Sequence, residues 1–179
     1  MWKLITILAL LTSLWAWSAT GSEGVSQDLQ EPIRFTADNE FLDMREGTFR
    51  ATGDVEIEQG SLRILADELE VMGFSAETSE ADIFIARGEP ARYRQLIQPG
   101  REVRATALII EYNASERTLT LRGNATLEQD RNSVQAALIR YDLEAQQVSA
   151  ERGENERVTT IFYPGEQTER NNDNETNGN

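Results

Sequence analysis

Apolar and polar residues alternate at period two along much of this 179-residue chain, most clearly over Gly53–Val71, GDVEIEQGSLRILADELEV. Val55 and Ile57 alternate there with Asp54, Glu56 and Glu58, and Gln59-Gly60-Ser61 reads as a turn. Leu62, Ile64 and Ala66 then share one face, with Ser61 and Arg63 on the other. Such alternation puts the apolar side chains of a strand on one side. Leu65 interrupts it as a lone exposed apolar residue, a common occurrence. Leu69 and Val71 continue the inward face, and Glu68 and Glu70 point out.

The unit returns seventy residues later as Gly123–Tyr141, GNATLEQDRNSVQAALIRY. Gly123 stands where Gly53 stood, Leu127 where Ile57 stood, Val134 where Ile64 stood and Ile139 where Leu69 stood. Ala37 and Ala107 each lie sixteen residues before the corresponding glycine. Self-similarity at a fixed offset marks a repeated architecture, here built from strands.

Elsewhere, Pro32 precedes an alternating strand, Ile33–Ala37, and Phe41-Leu42 form a short one. Ala81–Ala86 is apolar at successive positions and predicts a strand covered on both sides. Gly88-Glu89-Pro90 reads as a turn. Ala91–Leu96 places Tyr93 inward and Arg92 and Arg94 outward. Val103–Tyr112 is a long strand with a kink, Thr118–Leu121 leads into the second copy, and Arg157–Tyr163 is the last strand. No 3.6-residue periodicity extends beyond two turns. The pattern predicts an inward apolar set of Phe35, Phe49, Val55, Ile57, Leu62, Ile64, Leu69, Tyr93, Ile110, Leu119, Leu121, Leu127, Val134, Ile139 and Tyr141. These residues either pack a dry core or face a slot able to take acyl chains. Strands of this kind coil into a jelly roll or a solenoid-like folded sheet. The first and last strands lie at the ends of the order, so Ile33 and Phe35, and Val158, Thr160 and Phe162, mark edges with unpaired backbone groups. Ile161 reads as the inward residue of the last strand.

Composition narrows the function. Residues 1–18 read as a secretory signal peptide: Lys3, then an apolar run, then Ala16-Trp17-Ser18 as a cleavage site. Its removal takes away every tryptophan and the single lysine, moving the formal net charge from −14 to −15. Residues 19–31 read as a flexible lead-in, 32–165 as one β domain, and 166–179 as a disordered acidic, Asn-rich tail. So acidic a chain does not bind nucleic acid through phosphates. It has no cysteine and no histidine, which excludes disulfides, His-based triads and His metal ligands. Acidic clusters such as Asp67-Glu68-Glu70 show neither EF-hand spacing nor other catalytic context. We expect no metal, no cofactor and no enzymatic activity.

The order GDVEIEQGSLRILAD, then RGEPA, then EY, then LRGNATLEQ, flanked by ADNEFLD and RVTTIFYP, resembles the LptA (OstA-like) family across roughly residues 32–165. The second copy departs from the family pattern. Asp130-Arg131 replaces a glycine turn, and Ala137 stands where aspartate is usual. The resemblance implies an all-β fold, a β-jelly-roll slab of short antiparallel strands, open at both ends. It further implies periplasmic lipopolysaccharide transport, with lipid A acyl chains inside and sugars outside. The implied partners are lipopolysaccharide, an inner-membrane LptC-like component, an outer-membrane LptD-like receptor, and further copies in a head-to-tail homo-oligomer. Competing readings are an LptC-like component that retains residues 2–17 as an anchor, a structural β-repeat or adhesion module with a closed core, and an acidic-site hydrolase.

Overall fold

The computed structural model describes residues 23–74, 81–154 and 156–164; the expected signal peptide and terminal tail lie outside the described residues. The strands are β1 (Arg34–Thr36), β2 (Asn39–Asp43), β3 (Thr48–Gln59), β4 (Leu62–Met72), β5 (Ile83–Gln98), β6 (Arg101–Asn113), β7 (Thr118–Gln129), β8 (Asn132–Asp142), β9 (Gln147–Glu151) and β10 (Thr159–Ile161). They form one antiparallel sheet in the order β1-β3-β4-β5-β6-β7-β8-β10. β2 also pairs with β3, and β9 with β8, so each end of the sheet carries two short strands in place of one long one.

The central strands run eleven to sixteen residues, longer than the turn signals predict. Gly88-Glu89-Pro90 is not a turn. It sits inside β5, where pairing to β6 skips from Arg87–Ile109 to Ala91–Ala107. Comparable register shifts lie at Thr52/Val55, Leu65/Glu68, Thr106/Ile109 and Arg122/Ala125. Together they cross the sheet as a line of bulges. A bulge leaves one residue unpaired and bends its strand, and a row of them creases the whole sheet. The glycines at the crease need the left-handed backbone: φ is +80° at Gly53 and +79° at Gly123, followed by +41° at Asp54 and +49° at Asn124.

The crease folds the sheet on itself. Tyr93 lies opposite Ala105, seven residues along β6 from Tyr112. A straight strand would separate those positions by about 23 Å, yet the Tyr93 and Tyr112 rings are 5.8 Å apart. Strand halves on either side of the crease therefore face each other as two layers, with the core between them. This makes Ala81–Ala86 different from expectation. Phe84 and Ala86 are buried, but Ile83 and Ile85 on the other face are half-exposed, because nothing among the described residues covers the outside of the sheet.

The seventy-residue repeat holds at the level of pairing. Phe35 faces Ile57 as Ala105 faces Leu127, and Leu42 faces Phe49 as Tyr112 faces Leu119. Val55 faces Ala66 as Ala125 faces Ala136. Thus β1 and β2 together occupy the place of β6, and β3 and β4 those of β7 and β8. β9 and β10 occupy that of β5, since Val148 faces Tyr141 as Phe84 faces Val71, and Thr160 faces Val134 as Tyr93 faces Ile64. Asp130 takes φ +56° where Gly60 takes +57°, so the second turn keeps the geometry of the first at a non-glycine residue.

The segment before β1 is not a bare lead-in. Glu23–Asp28 forms a helix, α1. Val25 and Asp28 are buried, and Leu29 follows one turn after Val25. That spacing puts the three on one face, but six residues are too few for periodicity to declare a helix.

Candidate functional site

The candidate site is the space between the two layers. Every residue of the inward set lines it. Phe35 and Val134 are partly exposed; the others are buried, with Ile57, Ile110, Leu119, Leu121 and Ile139 wholly so. Alternation puts them there, and the crease brings the two sets together. Phe35, Phe49 and Phe74 cluster at one end of the sheet, with Phe35–Phe74 and Phe49–Phe74 centroids at 6.2 and 6.3 Å. Phe84, Tyr112 and Tyr93 follow across the middle.

Several lining residues escaped the sequence reading. Tyr112 stands two positions after Ile110 and shares its face, so the signal was present. Phe84 hides in a run whose flanks do not fix which face is inward. Ile97 is fully buried too, as is Val71, which the alternation places inward.

Three tyrosines place hydroxyls in this apolar space. Burial pushes the Tyr112 phenol up to about 12, raises Tyr93 well above the ordinary value, and raises Tyr141 as well. A phenolate without water is unfavourable, so all three stay neutral. Tyr93 donates to Gln95 Oε1. The Tyr112 hydroxyl has no hydrogen-bond partner among the described residues.

Polar residues close one side of the interior. Asp28 at the end of α1 accepts from Ser61 N and Ser61 Oγ, both at 2.6 Å, and from Gln95 Nε2 at 2.7 Å. Gln59 Nε2 donates to the Glu31 carbonyl at 3.0 Å. Gln95 and Gln59 are buried; Gln95 is satisfied by Tyr93 and Asp28, and Gln59 by the Glu31 carbonyl. The helix is thereby pinned across the ends of β3, β4 and β5. Beside it a cleft of about 310 Å³ is lined by Leu29, Ile33 and Gln59 on one side and by Ala81, Asp82, Ala114 and Ser115 on the other. This is the seam where strand ends of the two layers approach without pairing.

The ends of the sheet differ from its middle. Phe41, Leu42 and Met44 on or next to β2 are exposed, as are Val148, Val158, Ile161, Phe162 and Tyr163 along the β9–β10 edge. Ile33 and Phe35 are partly buried against the core. Thr160 lies opposite Val134 and Ile161 opposite Ser133. Directly opposed residues share a face, so Thr160 takes the inner side and Ile161 the outer, the reverse of the expectation. The extra residues between β9 and β10 reset the parity that a single continuous strand would keep.

The family model described as LptA/(LptD N-terminal domain) LPS transport protein matches residues 34–147. The lipopolysaccharide export system protein LptA of Escherichia coli (strain K12) is 30% identical over 174 residues, covering 97% of this chain and 93% of that protein. The protein of the same name from Haemophilus influenzae is 27% identical, covering 92% of this chain and 95% of its own. Among solved structures, one similar chain is LptH of Pseudomonas aeruginosa, described as the LptA homologous periplasmic component of the conserved lipopolysaccharide transport device. The TM-score is 0.70 and the identity 26%, over 77% of this chain and 99% of that one.

Proposed function

This chain belongs to the family of LptA and the LptD N-terminal domain, LPS transport proteins, and we propose that its two facing layers part to hold lipid A acyl chains while the sugars remain outside. It is a periplasmic lipopolysaccharide transport protein. The observation that carries the proposed route is the seam. The layers are joined by continuous strands at the crease but, among the described residues, by no strand pairing at their free ends, and β1 and β10 are not paired to each other. Opening the layers therefore separates side chains and breaks no ladder hydrogen bond. Acyl chains that replace those contacts gain about 0.8 kcal/mol per buried CH₂ relative to water. A channel lined at similar polarity along its length presents successive sites of similar affinity, which is what movement requires.

Entry and exit belong to the two ends of the sheet. Their exposed apolar side chains and unpaired backbone groups suit addition of a further strand. In this reading the β1–β2 end, with Ile33 and Phe35, receives from an LptC-like inner-membrane component or a preceding copy. The β9–β10 end, with Val158, Thr160 and Phe162, passes to the next copy or an LptD-like receptor. Transport of this kind asks for no chemistry from the chain itself.

The test is site-specific photo-crosslinking in cells. A photoreactive residue at Ile57, Ile64, Leu121 or Tyr141 captures lipopolysaccharide, and one at Glu70 on the outer face does not. Equal capture from both faces overturns the interior route, because a one-residue slip of register exchanges the faces.

A further inference from the structure

On the outer face of the sheet three arginines stand directly opposite one another on adjacent strands: Arg63 on β4, Arg94 on β5 and Arg104 on β6. Arg92 lies one step along the same face, opposite Leu65 and Thr106. Like charges set directly opposite in a sheet are destabilising, and here two such pairs are consecutive. The chain has sixteen arginines against thirty-one carboxylates, so a row of positive charge runs against its overall character.

Carboxylates only partly offset the row. Glu56 pairs with Arg63, and Glu102 is shared, its Oε1 3.3 Å from Arg94 Nε and its Oε2 beside Arg104. Glu128 faces Arg104 across β6 and β7. Arg63, Arg94 and Arg104 keep 43%, 53% and 64% of their side-chain surface exposed, and the Arg63 Nε is buried without a partner among the described residues. Between these side chains lies a cleft of about 350 Å³, whose lining includes Leu65, Tyr93 and Ala105. The charged lining is four arginines against one carboxylate, Glu128, beside the apolar Leu65 and Ala105.

We propose that this cleft binds a phosphoryl group carried on the saccharide of the transported lipid, with Arg92 and Arg94 as its principal ligands and Arg63 and Arg104 flanking them. Guanidinium groups present paired N–H donors that match phosphate oxygens and hold their charge at every physiological pH. A bound dianion relieves the repulsion along the row, which supplies a favourable term the empty cleft lacks. The proposal deepens the reading given above and rests on it: the acyl chains lie between the layers, and the phosphoryl group is held on the outside of the same sheet. Tyr93 joins the two places, since it is buried in the core and is also among the residues lining the cleft.

The test uses the full chain and three ligands: lipopolysaccharide, the same lipopolysaccharide after phosphatase treatment, and inorganic phosphate. The parent binds the phosphorylated form about tenfold more tightly than the treated form, as expected for charge-assisted hydrogen bonds. Arg92→Gln together with Arg94→Gln abolishes that preference and leaves binding of the treated form unchanged. Inorganic phosphate separates the sources. Weak competition assigns the site to the saccharide-borne group, and binding as tight as that of the whole lipid assigns it to free phosphate and overturns the headgroup assignment. Arg94→Gln also raises the thermal midpoint by removing like-charge repulsion, so lost binding is not lost folding; a lowered midpoint makes the arginine structural and overturns the proposal. Capture of lipopolysaccharide from Ile57 is measured in the same variants. If capture persists while phosphate makes no difference, this inference fails alone; if capture is absent in the parent, the interior route fails.

Discussion

The Phe35 and Phe49 rings stand 4.4 Å apart, although Phe35 pairs with Ile57, eight residues along β3 from Phe49. A straight strand spaces those positions by about 27 Å. The contact exists because β3 turns back on itself at Gly53 and Asp54, and so does every long strand beside it. The interior is thus a product of the crease more than of any single strand.

The first prediction follows from that crease. At Gly53 a Cβ meets the Asp38 side chain, and at Gly123 it meets Leu108 Cδ1 at 2.9 Å. Each glycine also holds a left-handed backbone that costs an alanine about 1–2 kcal/mol. Gly53→Ala and Gly123→Ala each lower stability by at least that amount, read as a fall in the urea midpoint, and unfolding of either at the parent's midpoint shows the crease does not need them.

Asp28 gives the second prediction. It accepts three hydrogen bonds, two from Ser61 in the β3–β4 turn and one from Gln95 on β5, and a hydrogen bond to a charged group is worth about 1.5–3 kcal/mol. Asp28→Ala leaves the Ser61 and Gln95 donors unpaired and lowers stability by about 2–4 kcal/mol when the losses overlap. Hydrogen exchange then rises first in α1 and around Ser61. Exchange that stays protected there shows the helix is held by Val25 alone.

Alkaline pH provides the third. The Tyr112 pKa is about 12 in the folded chain against 10.0 ordinarily, and Tyr93 is raised too. Above pH 10 the unfolded chain releases these protons and the folded chain does not. The unfolded state then binds fewer protons, so stability falls as pH rises. The tyrosine contribution is complete below pH 10 and is lost through about pH 12, amounting to about 3 kcal/mol for Tyr112. Tyr112→Phe removes its part of this slope, measured by denaturation at stepped pH with absorbance at the phenolate band. An unchanged slope places the titration elsewhere.

The fourth prediction concerns the register of the proposed joint between copies. Within the chain, β5 ends the first repeat and β6 begins the second, with Tyr93 opposite Ala105. Thr160 occupies the place of Tyr93 and Phe35 that of Ala105. Copies joined by the same rule set Thr160 of one against Phe35 of the next. The chain has no cysteine, so Thr160→Cys mixed with Phe35→Cys reports directly: opposed Cα atoms lie about 4.5–5.5 Å apart, within disulfide range. Oxidation gives a mixed dimer with this pair and far less with Ile161→Cys. Equal yields from both mean the joint is not strand addition in this register.

Much of this was legible in the sequence because alternation survives wherever pairing is regular. The inward faces of β3, β4, β7 and β8 could be read directly, as could the repeat that relates them. The crease could not. At Gly88-Glu89-Pro90 the residues are those of a turn, and what keeps the chain extended is pairing to β4 and β6, both distant in sequence from one another. The arginine row was invisible for the same reason. Arg94 reads as outward, but its opposition to Arg104 depends on register across a hairpin containing a further irregularity between Leu96 and Gln98. The fold of α1 depends on Asp28 finding Ser61 and Gln95, contacts that no local pattern encodes.

The internal repeat has a consequence for length. If one copy follows another as β6 follows β5, the joint is heterologous, and each addition leaves a fresh end identical to the last. Such a polymer carries no counter: nothing in its geometry favours two subunits over five. The span is then set by whatever different proteins occupy its first and last edges, and by the distance between the membranes that hold them. A gap that widens can be met by inserting one more unit, with no change to the units already in place.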